Sequence, residues 1–226
     1  MRGPLNAYDR AILRLQEKIL EMGDYVTEQL DKSLTALQNQ DISLAAEIVS
    51  GDDRTDDYYY EIETESLDLI SLQQPCGEDL RTLATVMQVG KELERIGDFA
   101  VNIAETAQRI AMLGKPYFKR LVDIPRMSDL ARDMLSKSLK ALVDRDIMLA
   151  KEVVWADDAV DDLFEVLHDE LIDYMKRGPE YVEQASYMAL VARYLERVGD
   201  HAVNIAEMVL YRETGRRRAI AECFKK

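Results

Sequence analysis

The chain has 226 residues, of which 47% are hydrophobic, and its 43 acidic and 29 basic side chains give a formal net charge of -14. This length fits one large domain or two smaller ones, and the hydrophobic fraction excludes an intrinsically disordered chain. A surface with this much negative charge repels the phosphate backbone of nucleic acids and anionic lipids. We therefore expect no nucleic-acid partner. It attracts cations or basic protein surfaces instead.

The sequence carries no signal for a membrane span or for a disulfide framework. Cys76 and Cys223 are too few for disulfide-based stability and lack paired metal-ligand spacing. No apolar run reaches the length of about 18 residues needed to cross a bilayer. We therefore expect a soluble, cytoplasmic protein that reaches a membrane only through its partners. A basic tail is predicted to be a solvated terminus, or a weak contact to membrane or partner: Arg216, Arg217, Arg218, Lys225 and Lys226.

The composition predicts an all-helical protein. Only ten glycines and five prolines interrupt a chain rich in Ala, Leu, Glu and Lys, which lose little side-chain freedom in a helix. Apolar residues also recur at helical spacing, as in the series Val153, Val160, Phe164, Leu167, Leu171 and Tyr174. The predicted helices run, in chain order, over residues 5–38, 41–72, 78–113, 127–143, 146–176 and 179–211.

Residues at the helix ends support these limits. Asp41 and Asp146 each precede an apolar periodic run, where a carboxylate accepts hydrogen bonds from unpaired backbone amides. Pro179 suits a first helical turn, because its missing amide proton would have no partner there. The segment Gly114-Lys115-Pro116 ends the third helix and begins a linker.

The chain contains one unit twice. Residues 93–105 read LERIGDFAVNIAE and residues 195–207 read LERVGDHAVNIAE, while residues 36–57 match residues 141–162 in the same order. Two matches in the same order indicate a duplication. The sequence therefore predicts an all-α fold of two tandem three-helix bundles, residues 1–115 and 116–226, related by a pseudo-twofold axis.

A ladder of carboxylates recurs in the third helix of each copy. Glu94 and Asp98 in copy one match Glu196 and Asp200 in copy two, and Glu105 and Glu207 continue the two ladders. Positions four residues apart share one side of a helix, where like charges repel unless a cation joins them. The repetition favours a cation site over a solvated acidic face, which remains the alternative.

A second set of acids lies in the middle helices. Asp52 and Asp56 match Asp157 and Asp161, and Asp157 stands where the apolar series calls for a hydrophobic residue. A carboxylate that faces a helix interface needs a partner or a metal. We therefore predict two metal sites, one per bundle, each built from two helices: Glu94, Asp98, Asp52 and Asp56 in the first, and Glu196, Asp200, Asp157 and Asp161 in the second.

Other residues near these acids receive simpler interpretations. Gly97 and Gly199, inside helices, indicate close approach of a neighbouring helix. His201 has Phe99 as its counterpart and is interpreted as a helix-surface histidine. Three arginines are interpreted as local charge balance, or as groups that orient the acids: Arg95, Arg193 and Arg197. The aspartates adjacent to the site, interpreted as supporting or solvated groups, are Asp53, Asp57, Asp158 and Asp162.

Oxygen ligands suit Mg, Mn, Ca or oxidised iron, and zinc also accepts carboxylate.

The doubled pattern Glu-Arg-Ile/Val-Gly-Asp-x-Ala-x-Asn-Ile-Ala-Glu and the segment Asp157-Asp158-Ala159-Val160-Asp161 resemble the PhoU family over nearly the whole chain. The resemblance implies two three-helix bundles whose repeated acid motifs hold multinuclear metal clusters, often of iron or zinc.

The resemblance also implies a role without catalysis. Members of the family damp phosphate-starvation signalling by linking the phosphate ABC transporter, through its ATPase subunit, to a sensor histidine kinase, and a homodimer is plausible. The main hypothesis is thus a metal-binding regulatory adaptor. Two alternatives stay open: a metal-dependent enzyme of phosphate chemistry, and a purely structural helical scaffold.

Overall fold

The structure is a computed structural model that describes residues 7–216. The predicted all-α fold with its internal repeat is confirmed, and the described residues contain no β-strand. The predicted helix start at residue 5 lies outside the described residues, as do Cys223 and most of the basic tail. Seven helices are present: α1 (Ala7–Asn39), α2 (Ile42–Ser50), α3 (Asp53–Gln73), α4 (Glu78–Met112), α5 (Asp123–Asp144), α6 (Ile147–Arg177) and α7 (Pro179–Thr214).

The middle helix of the first copy is interrupted, which the sequence did not predict. The helix predicted over 41–72 is divided into α2 and α3 at Gly51 and Asp52, whereas the matching helix α6 is continuous. Gly51 occupies the position of Ala156 in the second copy, and glycine weakens a helix interior. The hydroxyl of Tyr25 on α1 donates to the Gly51 carbonyl at 3.1 Å and so stabilises the interruption.

The two predicted N-caps are confirmed. The carboxylate of Asp41 accepts from the backbone amides of Ser43 and Leu44, both at 3.0 Å. The carboxylate of Asp146 accepts in the same way from the backbone amides of Met148 and Leu149, at 2.8 and 3.0 Å. Both caps satisfy donors that have no partner within the helix.

Helices α4 and α7 pack against each other in antiparallel fashion and form the centre of the molecule. In each copy the first and middle helices pack on one of them: α1, α2 and α3 on α4, and α5 and α6 on α7. The repeated segments supply the matching fully buried residues Leu93, Ile96, Ala100 and Ile103 on α4, and Leu195, Val198, Ala202 and Ile205 on α7. The outer helices thus bring their acidic residues against the ladders of the two central helices.

Near the end of the first helix of each copy, the matching backbone carbonyl accepts a hydrogen bond from a side chain, but the donor differs between the copies. In copy one the hydroxyl of Tyr117, from the linker, donates to the Leu37 carbonyl at 2.5 Å, and burial raises the pKa of Tyr117 to about 12. In copy two the guanidinium of Arg212 donates to the matching Leu142 carbonyl at 2.8 Å. Arg212 is 2% exposed, and burial lowers its pKa.

No helix within the described range 7–216 is both long and apolar enough to cross a membrane. Cys76 is exposed and is not in a disulfide.

Candidate metal centres

The first predicted site lies where α3 crosses α4. Thr55 of α3 sits directly over Gly97 of α4, so that Asp52 and Asp56 come close to the acidic ladder of α4. Burial and the charge of Asp98 raise the pKa of Asp52. The four predicted acids of this site therefore lie around one helix crossing, where their charges act on one another, and Asp52 itself is exposed to solvent.

The second predicted site repeats this arrangement where α6 crosses α7. The charges of Asp161, Asp200 and Glu196 all act on Asp157, which is half-buried. Burial, followed by the charge of Asp161, raises the pKa of Asp157 from its ordinary value to about 6. Carboxylates with a pKa displaced in this way are often found at functional sites.

Four more predicted ligands have pKa values that are raised for the same physical reason. Burial raises the pKa values of Glu94, Asp98 and Glu196, even though a neighbouring arginine opposes each rise. Partial burial and the charge of Asp200 also raise the pKa of Asp161. Without a cation, the folded protein holds these carboxylates in an environment that disfavours their charge.

Arginines on the central helices hold three of the acids. Arg95 donates to Asp98 at 3.0 Å and Arg197 to Asp200 at 3.2 Å, while Arg193 pairs with Glu196 at 2.5 Å. Across residues 7–216 no three acidic, histidine or cysteine side chains converge in an arrangement that could hold a metal ion. Metal binding would require Asp98 and Asp200 to turn away from their arginines.

The residues present nevertheless fit a hard cation. The Oε2 atom of Glu196 is buried and has no hydrogen-bond partner among the described residues. A buried carboxylate oxygen without a partner is costly and would be satisfied by a cation. The eight predicted ligands supply only oxygen donors, which suit Mg, Mn and iron. Their role in metal binding stays a prediction.

The two interior glycines lie at the helix crossings, as the sequence predicts, but they are not equivalent. A Cβ atom on Gly97 would lie 2.8 Å from Cγ2 of the buried Thr55. A Cβ atom on Gly199 would lie 3.4 Å from Oδ1 of Asp157 and 3.7 Å from the Met134 side chain. The first distance is too short for two carbon atoms, whereas the others are ordinary contacts.

We therefore expect Gly97→Ala and Gly199→Ala to have opposite effects on the stability of the metal-free protein. Gly97→Ala should lower the free energy of unfolding by about 1–2 kcal/mol, because overpacking outweighs the gain in helix propensity. Gly199→Ala should leave it unchanged or raise it by about 0.5–1 kcal/mol. Urea unfolding followed by circular dichroism measures both, and a loss of equal size in the two variants would contradict the distinction.

The four aspartates beside the predicted ligands, and the residues Glu165 and His168, lie on the surface. The four adjacent aspartates, Asp53, Asp57, Asp158 and Asp162, are all exposed. Glu165 and His168 on α6 are also exposed, and the His168 ring lies tilted against that of Phe164, with ring centroids 5.7 Å apart. These exposed groups make suitable controls for the predicted ligands at the helix crossings.

A polar cluster that the sequence did not predict lies at the interface of α4 and α7, and the interpretation of His201 as a helix-surface histidine is wrong. The His201 Nδ1 atom lies 2.6 Å from the Glu92 carboxylate, which also accepts from Asn204 at 2.9 Å, at the interface of α4 and α7. These hydrogen bonds outweigh burial and lower the pKa of Glu92. At the pseudo-symmetric position Phe99 stacks on Tyr194, with ring centroids 6.0 Å apart.

The fold and the site define a duplicated helical protein with one acidic helix crossing in each copy. A model of the PhoU domain matches residues 19–107 and again residues 124–209. The chain therefore belongs to the PhoU family.

Relatives and solved structures agree with this assignment. A phosphate-specific transport system accessory protein PhoU homolog of Clostridium acetobutylicum is 34% identical over 210 residues, which cover 92% of this chain and 95% of the relative. A homolog of the same name from Aquifex aeolicus is 37% identical over 182 residues, covering 80% and 81% of the two chains. The crystal structure of PhoU from Pseudomonas aeruginosa matches with a TM-score of 0.88 and 29% identity, covering 92% of this chain and 100% of the other. The phosphate transport system regulatory protein PhoU from Streptococcus pneumoniae matches with a TM-score of 0.84 and 27% identity, covering 92% and 98%.

Proposed function

We propose that this protein is a metal-binding regulatory adaptor that represses the phosphate-starvation response. Its relatives are named as accessory proteins of the phosphate-specific transport system. The observation that carries the metal part of the proposal is the repeated helix crossing, where like-charged acids with raised pKa values face each other.

Eight residues would hold the metal, four at each crossing, with iron or zinc in a multinuclear cluster as the main candidates and Mg or Mn as others. The bound cations would neutralise the carboxylates and link the outer helix to the central helix. The residues are Asp52, Asp56, Glu94 and Asp98 in copy one, and Asp157, Asp161, Glu196 and Asp200 in copy two.

As an adaptor, the protein would work in the cytoplasm without catalysing a reaction, and would reach the membrane only through its partners. Those partners would be the ATPase subunit of a phosphate ABC transporter and a sensor histidine kinase, and the protein would act as a homodimer. The acidic surface, with a net charge of -14, suits basic faces on such partners.

The proposal is tested first by metal content. Mass spectrometry of untagged protein, purified without chelator, is expected to find stoichiometric metal in the wild type. Replacing Glu94, Asp98, Glu196 and Asp200 by Ala should remove it while circular dichroism still reports helix. The matched control replaces the exposed acids Asp53, Asp57, Asp158 and Asp162 by Ala, which removes the same charge and should keep the metal. Metal-free wild type that cannot be reloaded with iron, zinc, manganese or magnesium would overturn the metal sites.

The regulatory part is tested in cells. A strain that lacks the protein should express a phosphate-starvation reporter in high phosphate, and the wild-type gene should restore repression. Turnover of phosphoesters by the metal-loaded protein, abolished by Asp200→Asn, would instead identify an enzyme. A reporter that stays repressed in the deletion strain would contradict the adaptor role.

A further inference from the structure

The outer face of α6 carries an exposed apolar stripe. Met148, Trp155 and Val166 are 58%, 48% and 67% exposed, and Ala159 lies between them on the same face. Their spacings of seven and four residues keep them on one side of the helix. The opposite side of α6, which packs on α5 and α7, contains the buried residues Val153, Val160, Leu167 and Leu171. We call the stripe the α6 outer face.

The fold does not require this stripe. The matching positions of copy one carry only polar residues: Ser43, Ser50, Arg54 and Glu61. The two copies share the fold and the buried residues of the central helices, and α2 and α3 of copy one fold with only polar residues at these positions, with the chain interrupted between them at Gly51 and Asp52. Large apolar side chains exposed together on one surface indicate an interaction site rather than a structural need.

The edges of the α6 outer face are acidic. Asp158, Asp162 and Asp169 lie along one edge and Glu152 along the other, with Lys151 as the one basic neighbour among these positions. Within residues 7–216, Asp158 and Asp162 form no salt bridge with a Lys or Arg, and Glu152 is attracted by Lys137, which itself pairs with Asp133. A partner that covers this face must bury apolar groups and present cations beside them.

A second copy of this chain is a poor occupant. A twofold contact places the same patch against itself. Because both edges of the α6 outer face are acidic and carry Lys151 as their one basic residue, such an arrangement sets mainly carboxylates against carboxylates, which repel one another. A homodimer of this protein would therefore form through another surface.

We propose that the α6 outer face is the docking site for a helix of a partner protein that carries apolar residues at helical spacing, flanked by Lys or Arg. The helix lies along the stripe, whose 19 residues from Met148 to Val166 span about 27 Å at 1.5 Å per residue. Trp155, at the middle of the stripe, is the anchor, since tryptophan often dominates binding at protein interfaces. The inference rests on the proposed function only in the choice of probe, the purified ATPase subunit of the phosphate transporter.

Trp155 is the one tryptophan of the chain, which makes a direct test available. Protein labelled with 5-fluorotryptophan gives a single fluorine NMR signal, whatever tryptophans the probe contains. We expect this signal to shift or broaden when the ATPase subunit is added, and the effect to weaken as salt is raised.

Affinity is compared in matched variants. The triple variant Met148→Ser, Trp155→Ser, Val166→Glu takes its residues from copy one and is expected to weaken binding by about tenfold or more. The double variant without the Trp155 change keeps the fluorine reporter and should weaken binding to a smaller degree. The control Leu72→Ser, Met112→Ser, Val122→Ser removes side chains that are 77%, 70% and 61% exposed elsewhere and should bind normally.

The outcomes separate the inference from the proposed function. Equal affinity of the triple variant, with an unmoved fluorine signal in the wild type, would overturn the docking site and leave the adaptor role intact. Absence of binding to the wild type would overturn the transporter link and the docking site together. A fluorine shift that depends only on the concentration of this protein, and disappears in the double variant, would identify a second copy as the occupant and overturn the inference.

Discussion

Asp157→Asn is expected to stabilise the metal-free protein at pH 7.5 and to lower its metal content. Burial and the neighbouring charges of Asp161 and Asp200 raise the pKa of Asp157 to about 6, so its ionised form is disfavoured in the folded protein at this pH. For a fully buried group, a rise in pKa of this size would lower the free energy of unfolding at pH 7.5 by about 3 kcal/mol. Solvent screening of a half-buried carboxylate reduces this effect, and we expect a gain of about 1–2 kcal/mol.

The pH dependence follows from the same displacement. Between about pH 4 and 6 the folded protein keeps a proton on Asp157 that the unfolded chain has released, so stability falls as the pH rises through this window. The Asn variant lacks this contribution, so its advantage should shrink toward pH 4. Urea unfolding of chelator-treated protein from pH 4 to 7.5 measures the difference.

The control for this prediction is the neighbouring exposed residue. Asp158→Asn removes one negative charge from the same turn of α6 but keeps the Asp157 carboxylate. Because the charge of Asp158 is a smaller cause of the raised pKa of Asp157 than burial, Asp161 or Asp200, this variant should gain much less stability than Asp157→Asn and should keep its metal. If Asp157→Asn were neutral at pH 7.5, or followed the wild type at every pH, the carboxylate would not be strained in the metal-free fold. A variant that is more stable than the wild type but binds less metal is typical of a substitution at a functional site. A substitution in a structural ion pair would lower stability instead.

The duplication made most of the fold predictable. Because each copy supplies an independent version of the same pattern, matching acids such as Asp41 and Asp146 could be assigned to helix starts with two observations instead of one. The crossing of the middle and third helices could also be predicted, since glycine stands at the same place in both repeats. Such features depend on local residue type and on period, which a sequence displays directly.

The interruption at Gly51 could not be predicted in this way. One glycine inside a helical pattern is usually tolerated, at a cost of about 1 kcal/mol. What stabilises the turn is the hydroxyl of Tyr25, which reaches the Gly51 carbonyl from a different helix. The matching residues Leu130 and Ala156 offer neither the hydroxyl nor the glycine, and α6 continues without a break.

The spacing of the acids predicted which carboxylates meet but not how they are oriented. Arg95 and Arg197 follow the first acid of each ladder, and each reaches the second acid three residues on. Charge-assisted hydrogen bonds of this kind compete with convergence on a cation. The result depends on side-chain rotamers, which the helical repeat does not determine.

The cluster at His201 shows what the comparison of the copies can still reveal. His201 differs from Phe99, and Glu92 differs from Tyr194, so both members of one contact change together between the pseudo-symmetric halves. Taken alone, a residue that differs between the two copies suggests a position that the shared fold does not require. Taken as a pair, they indicate that the two residues touch across the α4–α7 interface.

Arg212→Ala is expected to cause the largest loss of stability, about 2–4 kcal/mol, through lost packing and an unsatisfied carbonyl. The Arg212 side chain is almost completely buried, and its guanidinium donates to the Leu142 carbonyl at 2.8 Å and to Glu213 at 2.8 Å. It also belongs to α7, so it ties the end of α5 to a central helix. Thermal and urea unfolding measure the loss, and Arg109→Ala, at a side chain 58% exposed, should change stability by less than about 0.5 kcal/mol.

Arg212→Met separates the two contributions. Methionine restores much of the buried volume but cannot donate to the Leu142 carbonyl, so this variant should lose about 1–3 kcal/mol from the unsatisfied acceptor alone. A methionine variant as stable as the wild type would show that Arg212 acts only by filling space. The matching position in copy one is Ile110, and there the linker residue Tyr117 satisfies the equivalent carbonyl of Leu37. In the second copy the last helix itself supplies the donor, and loss of that donor is expected to destabilise the end of α5 specifically.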